Sequence, residues 1–338
     1  MKVEEVEEVE EVEKVKEERR GLRGVRRFCT PVVLCLLLFP LSSLFAFDSA
    51  DWLGKREVFA REAERLRAAW SNCMGRVSAP AENVTIPVEA FDDGSVKTRV
   101  NAAKAQYFLK EGLVWAEGVE VVQHAADGTV EGRIEAATCV VDRNSRSGWA
   151  EGAAKVTHGK TVFSGSGVYF SAAESYVQVF GDSRVESDEI RFERSAKKAA
   201  AGVFRGRSVR SDFDAAAGVA LFEGSVCAKG SDGTTMCADR VYLFLAGTND
   251  LKRAVAVGDV SITNGVRVGT CAMATYRRAK GEVEMFGDGK EILARLTERG
   301  EDVRSLEGTR IKFWIESEQV EVDNSKITAE RKGGESLL

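Results

Sequence analysis

Few residues in this sequence are placed to do chemistry. The two histidines, His124 and His158, lie far apart and neither has a ligand-spaced neighbour, so zinc centres and histidine-base catalysis have little to build on. His158, in Val-Thr-His-Gly-Lys, reads as an exposed hairpin residue. Gly165-Ser166-Gly167 and Gly287-Asp288-Gly289 lack the third glycine and the strand–helix setting that dinucleotide binding needs, and read as turns. Asp92-Asp93 precedes a glycine, which is turn chemistry rather than an acid–base pair. There is no P-loop, G-x-S-x-G, H-E-x-x-H or C-x-x-C. The expectation is no enzyme, no cofactor and no metal.

Of seven cysteines, Cys29 and Cys35 fall in an apolar amino-terminal run, leaving Cys73, Cys139, Cys227, Cys237 and Cys271, which cannot all pair internally. Cys227 and Cys237 flank Asp232-Gly233. A two-residue turn there sets Cys227 opposite Ala238 and sends Cys237 to the other face. Buried small hydrophobes are the default reading of these cysteines, with a disulfide across that hairpin as the alternative.

The chain that must position these residues has 338 of them, 44% hydrophobic and 30% charged, enough for a sizeable core. Its formal charge of −5 supplies no basic field for a phosphate backbone, which excludes nucleic acid as a general partner. All four prolines lie at or before Pro87, while 32 glycines punctuate the chain, as extended antiparallel ladders require.

Residues 1–27 are a charged tail, and between Lys14 and Arg27 seven basic residues face two acidic ones. Residues 28–47 then run without a charge. This is a membrane-targeting segment that keeps its amino-terminal side in the cytoplasm and exports the rest, as an anchor or as a cleaved signal. Residues 48–75 carry helix formers with Glu and Arg at helical spacing, and read as a helical spacer.

Beyond residue 88 one phrase returns: alternating apolar residues, a glycine, then another short strand. The glycines are Gly118, Gly152, Gly181, Gly224, Gly258 and Gly287, with gaps of 34, 29, 43, 34 and 29. An offset of 106 carries the first three onto the second three, Tyr107 onto Phe213, Glu117 onto Glu223 and Phe180 onto Phe286. Two tandem copies of one antiparallel β domain follow, at 76–194 and 202–325, with the boundary in Ser195 to Ala201 and a flexible tail at 326–338. Asp93-Gly94, Asp127-Gly128, Asp232-Gly233 and Asn264-Gly265 mark tight hairpins. After Gly287 come a helix-like piece, EILARLTERGEDV, and a last strand, RIKFWIESEQVEV. The irregular gaps within a copy favour two domains over the alternative, a β-solenoid structural or adhesive surface protein.

The phrases AKAQYFLKEGLVWAEGVEVV, SGVYFSAAESYVQVFGDSRV, ADRVYLFLAGTNDLKRAVAVGDVSI and AMATYRRAKGEVEMFGDG resemble the organic-solvent-tolerance or LptA/LptC family of lipopolysaccharide-transport proteins, over residues 88 to about 322. The resemblance implies all-β architecture, two open β-jellyrolls behind an amino-terminal membrane segment, an LptC-like one followed by an LptA-like one. It implies a periplasmic, non-enzymatic carrier of lipopolysaccharide or a related glycolipid. The implied partners are an inner-membrane transporter, other jellyroll transport proteins and further copies joined end to end.

By alternation, the apolar inner face comprises Trp115, Val119, Val121, Val177, Val179, Val255, Val257, Val283 and Met285, lining a lipid groove or an ordinary sandwich core. Ile311, Phe313 and Ile315 of the last run read as a partner-binding edge or as an internal strand.

Overall fold

The computed structural model describes residues 49–187, 204–230, 233–246, 250–299, 302–315, 317 and 319–331. The targeting segment 28–47, the tail before it and the boundary stretch 195–201 lie outside the described residues. Among the described residues a helix, α1 (Ser49–Met74), is followed by nineteen strands. The chain divides into a unit ending at Glu57 and a unit from Val58 onward that holds the whole sheet.

The strands are β1 (Ala81–Ala90), β2 (Val96–Phe108), β3 (Leu113–His124), β4 (Val130–Asp142), β5 (Ser147–His158), β6 (Thr161–Ser171) and β7 (Tyr176–Ser187), then β8 (Phe204–Ser208), β9 (Arg210–Asp214), β10 (Val219–Lys229), β11 (Thr235–Ala246), β12 (Asp250–Asn264) and β13 (Arg267–Arg277). β14 (Glu282–Phe286), β15 (Ala294–Arg299), β16 (Asp302–Gly308), β17 (Arg310–Trp314), β18 (Val320–Asp323) and β19 (Lys326–Arg331) complete the sheet. Every described pairing is antiparallel, and most join strands consecutive in sequence, as in a meander; β7–β9, β8–β10, β13–β15, β14–β17 and β16–β19 skip one or two strands. A stacked solenoid, whose rungs pair in parallel, is not what this chain forms.

The 106-residue offset survives in the structure. β13 repeats β6 end for end, and β3 and β10 begin at Leu113 and Val219, one offset apart. The ladder does not stop between copies: β7 pairs with β8 and β9, which in turn pair with β10. Both copies therefore belong to one sheet with one shared apolar core.

Four long strands, β3, β5, β10 and β12, turn a corner at a repeat glycine. Gly118, Gly152, Gly224 and Gly258 have φ of 61°, 74°, 79° and 79°, the left-handed region that glycine enters without steric cost. Ladder registers slip beside several of these corners, between Ala150 and Ala153, Glu223 and Val226, and Val257 and Val260. The corner of β7, at Gly181-Asp182, shows how far the strands fold back. Phe163 pairs with Val185 on one side of it and Phe213 with Val177 on the other. In a straight strand those positions would be about 26 Å apart at 3.3 Å per residue, yet the Phe163 and Phe213 rings are 5.2 Å apart. The two arms of each strand thus face each other across the core.

Several expectations are corrected. The Asp-Gly hairpins expected at residues 93–94 and 127–128 are present and close through three-residue loops: Phe91 N donates to Ser95 O and Gly94 N to Phe91 O, and Ala125, Thr129 and Gly128 repeat the pattern. At the third hairpin Gly230 N donates to Thr234 O, and the register moves by one residue, so Cys227 faces Cys237 and the two form a disulfide. The helix-like piece after Gly287 is the β15–β16 hairpin, because the unpaired edge of β13 at Arg267–Thr270 takes β15 as its partner and overrides local helix preference. The last run breaks at Trp314 into β17 and β18, and the tail from residue 326 contains β19, paired with β16.

Candidate functional site

The interior between the arms is the candidate site. Val119, Val121, Val179 and Met285 lie in the shared core, and Val177 and Val283 pack against it partly buried. Three candidates lie elsewhere. In β3 the inner residues are Val114 and Ala116 before the corner and Val119 and Val121 after it, so the turn at Gly118 exchanges odd for even positions. Trp115 accordingly faces outward, into a second cluster. In β12 the inner positions are Ala254 and Ala256, leaving Val255 half-buried and Val257 36% exposed on the opposite face. The run Ala-Val-Ala-Val is apolar at both parities, so alternation alone does not decide which pair faces inward.

The second cluster answers the expectation of a helical spacer. From Val58 onward α1 lies on the outer face of the first copy, with Phe59, Ala63, Leu66, Trp70 and Cys73 packed over Trp115, Val140, Trp149, Tyr169 and Tyr176. These helix positions recur at intervals of three and four, a stripe present in the sequence. A polar tie locks the edge of this contact. Arg65 Nη2 donates to Asp142 Oδ2 at 2.6 Å and pairs with Glu62, whose Oε1 also accepts from Ser147 Oγ. The Arg65 hydrogen bond holds the Glu62 carboxyl below its usual range, against the opposing effect of burial.

The second copy treats its outer face differently. At the offset positions Tyr176 becomes Glu282 and Gln178 becomes Glu284. Both glutamates are buried and satisfied by cations: Arg277 and Lys312 reach Glu282 at 2.7 and 3.1 Å, and Arg310 reaches Glu284 at 3.0 Å. No helix covers this face among the described residues.

A cavity of about 70 Å³ opens between the arms of the first copy. Its floor is apolar, with Val121, Ile134, Val156, Phe170, Val177 and Phe213. Its rim is polar. His158, expected at an exposed hairpin, is buried there with its ring 5.3 Å from that of Phe213. One lip is formed by the ends of β2, β3, β4 and β5, and the other by the β6–β7 turn around Ala172 and Ser175.

The run expected to be a partner-binding edge or an internal strand falls in β17, which has β14 on one side and β18 on the other and is therefore internal, with Ile311 fully buried opposite Met285. Phe313 is half-buried and Ile315 lies just past the strand end, 39% exposed. Among the described residues, the strands paired on one side only are β1 at the beginning of the sheet and β18 and β19 at its end. Among the described residues no group of His, Cys, Asp or Glu is arranged to hold a metal ion.

No family model matches the chain, and no curated protein matches it. Among solved structures, it is similar to LptH from Pseudomonas aeruginosa, described as the LptA-homologous periplasmic component of the lipopolysaccharide transport device. That likeness has 15% identity and a TM-score of 0.31, over 37% of this chain and 92% of that one.

Proposed function

We propose that this protein is a non-enzymatic carrier of lipopolysaccharide or a related glycolipid, holding acyl chains between the two arms of the sheet and bridging inner to outer membrane with partners at its open edges. The observation that carries the reading is the single apolar interior running through both copies, from Val100 to Ile311. An acyl chain placed there gains roughly 0.8 kcal/mol per buried CH2, and no chemistry is required of the protein. The strand phrases that resemble the lipopolysaccharide-transport family supply the substrate class. The Cys227–Cys237 disulfide supports an oxidising, extracytoplasmic location, in keeping with the charge pattern around residues 28–47.

Photo-crosslinking in whole cells tests the reading. A photoreactive residue at Val179 or Met285 should capture glycolipid, while one at Val257, on the outer face, should not. Adducts confined to other side chains of the protein at Val179 and Met285 would sink the proposal and leave a closed sandwich.

A further inference from the structure

Glu89 and Arg146 meet across the mouth of the first copy. Glu89 lies near the end of β1, paired with Thr98, in the arm that forms one lip; Arg146 lies in the β4–β5 turn beyond the other arm. Fifty-seven positions separate them in sequence, and Arg146 Nη1 stands 3.3 Å from Glu89 Oε1. Both ends of the pair are tied to the cavity wall. Thr98 Oγ1 donates to Glu89 Oε2, Ala172 N donates to Arg146 O, and Thr98 and Ala172 both line the cavity. The carboxylate is held inward, with its side chain 12% exposed, while the guanidinium is 49% exposed. Lys97 Nζ, at 3.2 Å, is a second cation on Glu89.

The size of the cavity gives this pair a consequence. At 70 Å³ the cavity is about half the roughly 150 Å³ that accepts a benzene ring. An alkyl chain of a dozen carbons cannot lie there while the lips are together. For it to enter, the arms must part about their corners, and the ion pair spans the opening.

We propose that the Glu89–Arg146 ion pair is a clasp that holds the arms of the first copy closed and must release before an alkyl chain can enter between them. The proposal rests on the carrier function above, and its test separates the two. Spin labels at Thr129 and Ala173, one on each lip, report the width of the mouth without any ligand. An anthroyloxy-labelled fatty acid reports entry by its fluorescence. Glu89→Arg and Arg146→Glu should each widen the label separation and speed uptake about threefold to fivefold, the scale of a partly exposed ion pair. The double variant Glu89→Arg/Arg146→Glu restores an opposite-charge pair and, combined with Lys97→Gln so that no second cation faces the new arginine, should bring both readings back to within about twofold of a Lys97→Gln reference. Where a reversal fails to fold, Arg146→Gln removes the charge with a smaller change of shape. Unchanged separations in the folded single variants overturn the clasp, whatever the uptake. Widened separations with no fatty acid taken up by any variant leave the clasp standing and count against the carrier function.

Discussion

Phe213 closes its ring on Phe163 at 5.2 Å, and the two residues come from different copies of the repeat. Tyr107, one offset before Phe213, lies in β2 beside the edge strand β1 and is 43% exposed, whereas Phe213 is 4% exposed. The same position is thus a surface residue near the edge of the sheet and a core residue at the join. Phe213→Ala should destabilise the protein by about 3–5 kcal/mol, the usual cost of emptying a buried phenyl site. Because the ladder runs unbroken through β7, β9 and β10, denaturant should unfold both copies in one transition, followed in a Trp314→Phe variant by tryptophan fluorescence for the helix and first copy and by far-ultraviolet dichroism for the whole. Two separated transitions in the parent protein would show that the copies are energetically independent.

The cysteines give a second expectation. Cys139 and Cys271 are buried, and burial pushes each thiol up to about 12 from an ordinary 9.0. Each folded value lies above the unfolded one, so their contribution to stability is full below about pH 9 and is lost as pH rises toward about 12. At pH 8 a maleimide should leave Cys73, Cys139 and Cys271 unmodified in the native protein. Cys227 and Cys237 should react only after reduction, read by mass spectrometry of peptides. Replacing both by serine should cost about 2–3 kcal/mol, since the disulfide closes a short loop. Labelling of Cys227 before reduction would contradict the bond.

Much of the architecture was legible in the sequence because Gly118, Gly152, Gly224 and Gly258 mark real corners inside strands, whereas Gly287 lies just past the end of β14. Faces were harder to read than strands. A left-handed residue inside a strand changes which parity points inward, so Trp115 and Val119 could not share a face although both are odd-numbered. At the Asp232-Gly233 hairpin a one-residue difference in loop length decided whether Cys227 met Ala238 or Cys237. The Phe59–Cys73 stripe of α1 was visible, but its partners Trp149 and Tyr169 lie about a hundred residues away, and local periodicity does not reveal what a stripe packs on.

That docking should respond to acid. The folded Glu62 carboxyl sits below its ordinary value, chiefly through the Arg65 hydrogen bond, so its contribution is present above the unfolded value of 4.5 and is lost as pH falls through the lower folded value. Acidification below pH 4.5 should loosen α1 from the sheet, seen as a change in the emission of Trp70 and Trp149. Arg65→Ala should cost about 1 kcal/mol, the scale of a partly exposed charged tie, and should move the acid transition to higher pH. An acid transition unchanged in that variant would assign it to other carboxylates.

The corners offer the most direct test of how the strands fold back. Gly152 and Gly258 occupy equivalent places, one offset apart, with φ of 74° and 79°. Their surroundings differ: a Cβ on Gly152 would meet nothing within 4 Å, whereas one on Gly258 would run into the Asp239 side chain. Alanine at Gly152 therefore pays only for left-handed backbone, about 1–2 kcal/mol. Alanine at Gly258 bears the same strain plus the displacement of Asp239, and should cost about 1–2 kcal/mol more, in the range of local overpacking. Adding Asp239→Ala should recover that excess in the Gly258 variant and do nothing for the Gly152 variant, measured by denaturant midpoints at constant slope. Equal costs at the two glycines, or no recovery, would mean that the corners are set by backbone conformation alone and that the crowding at Asp239 relaxes freely.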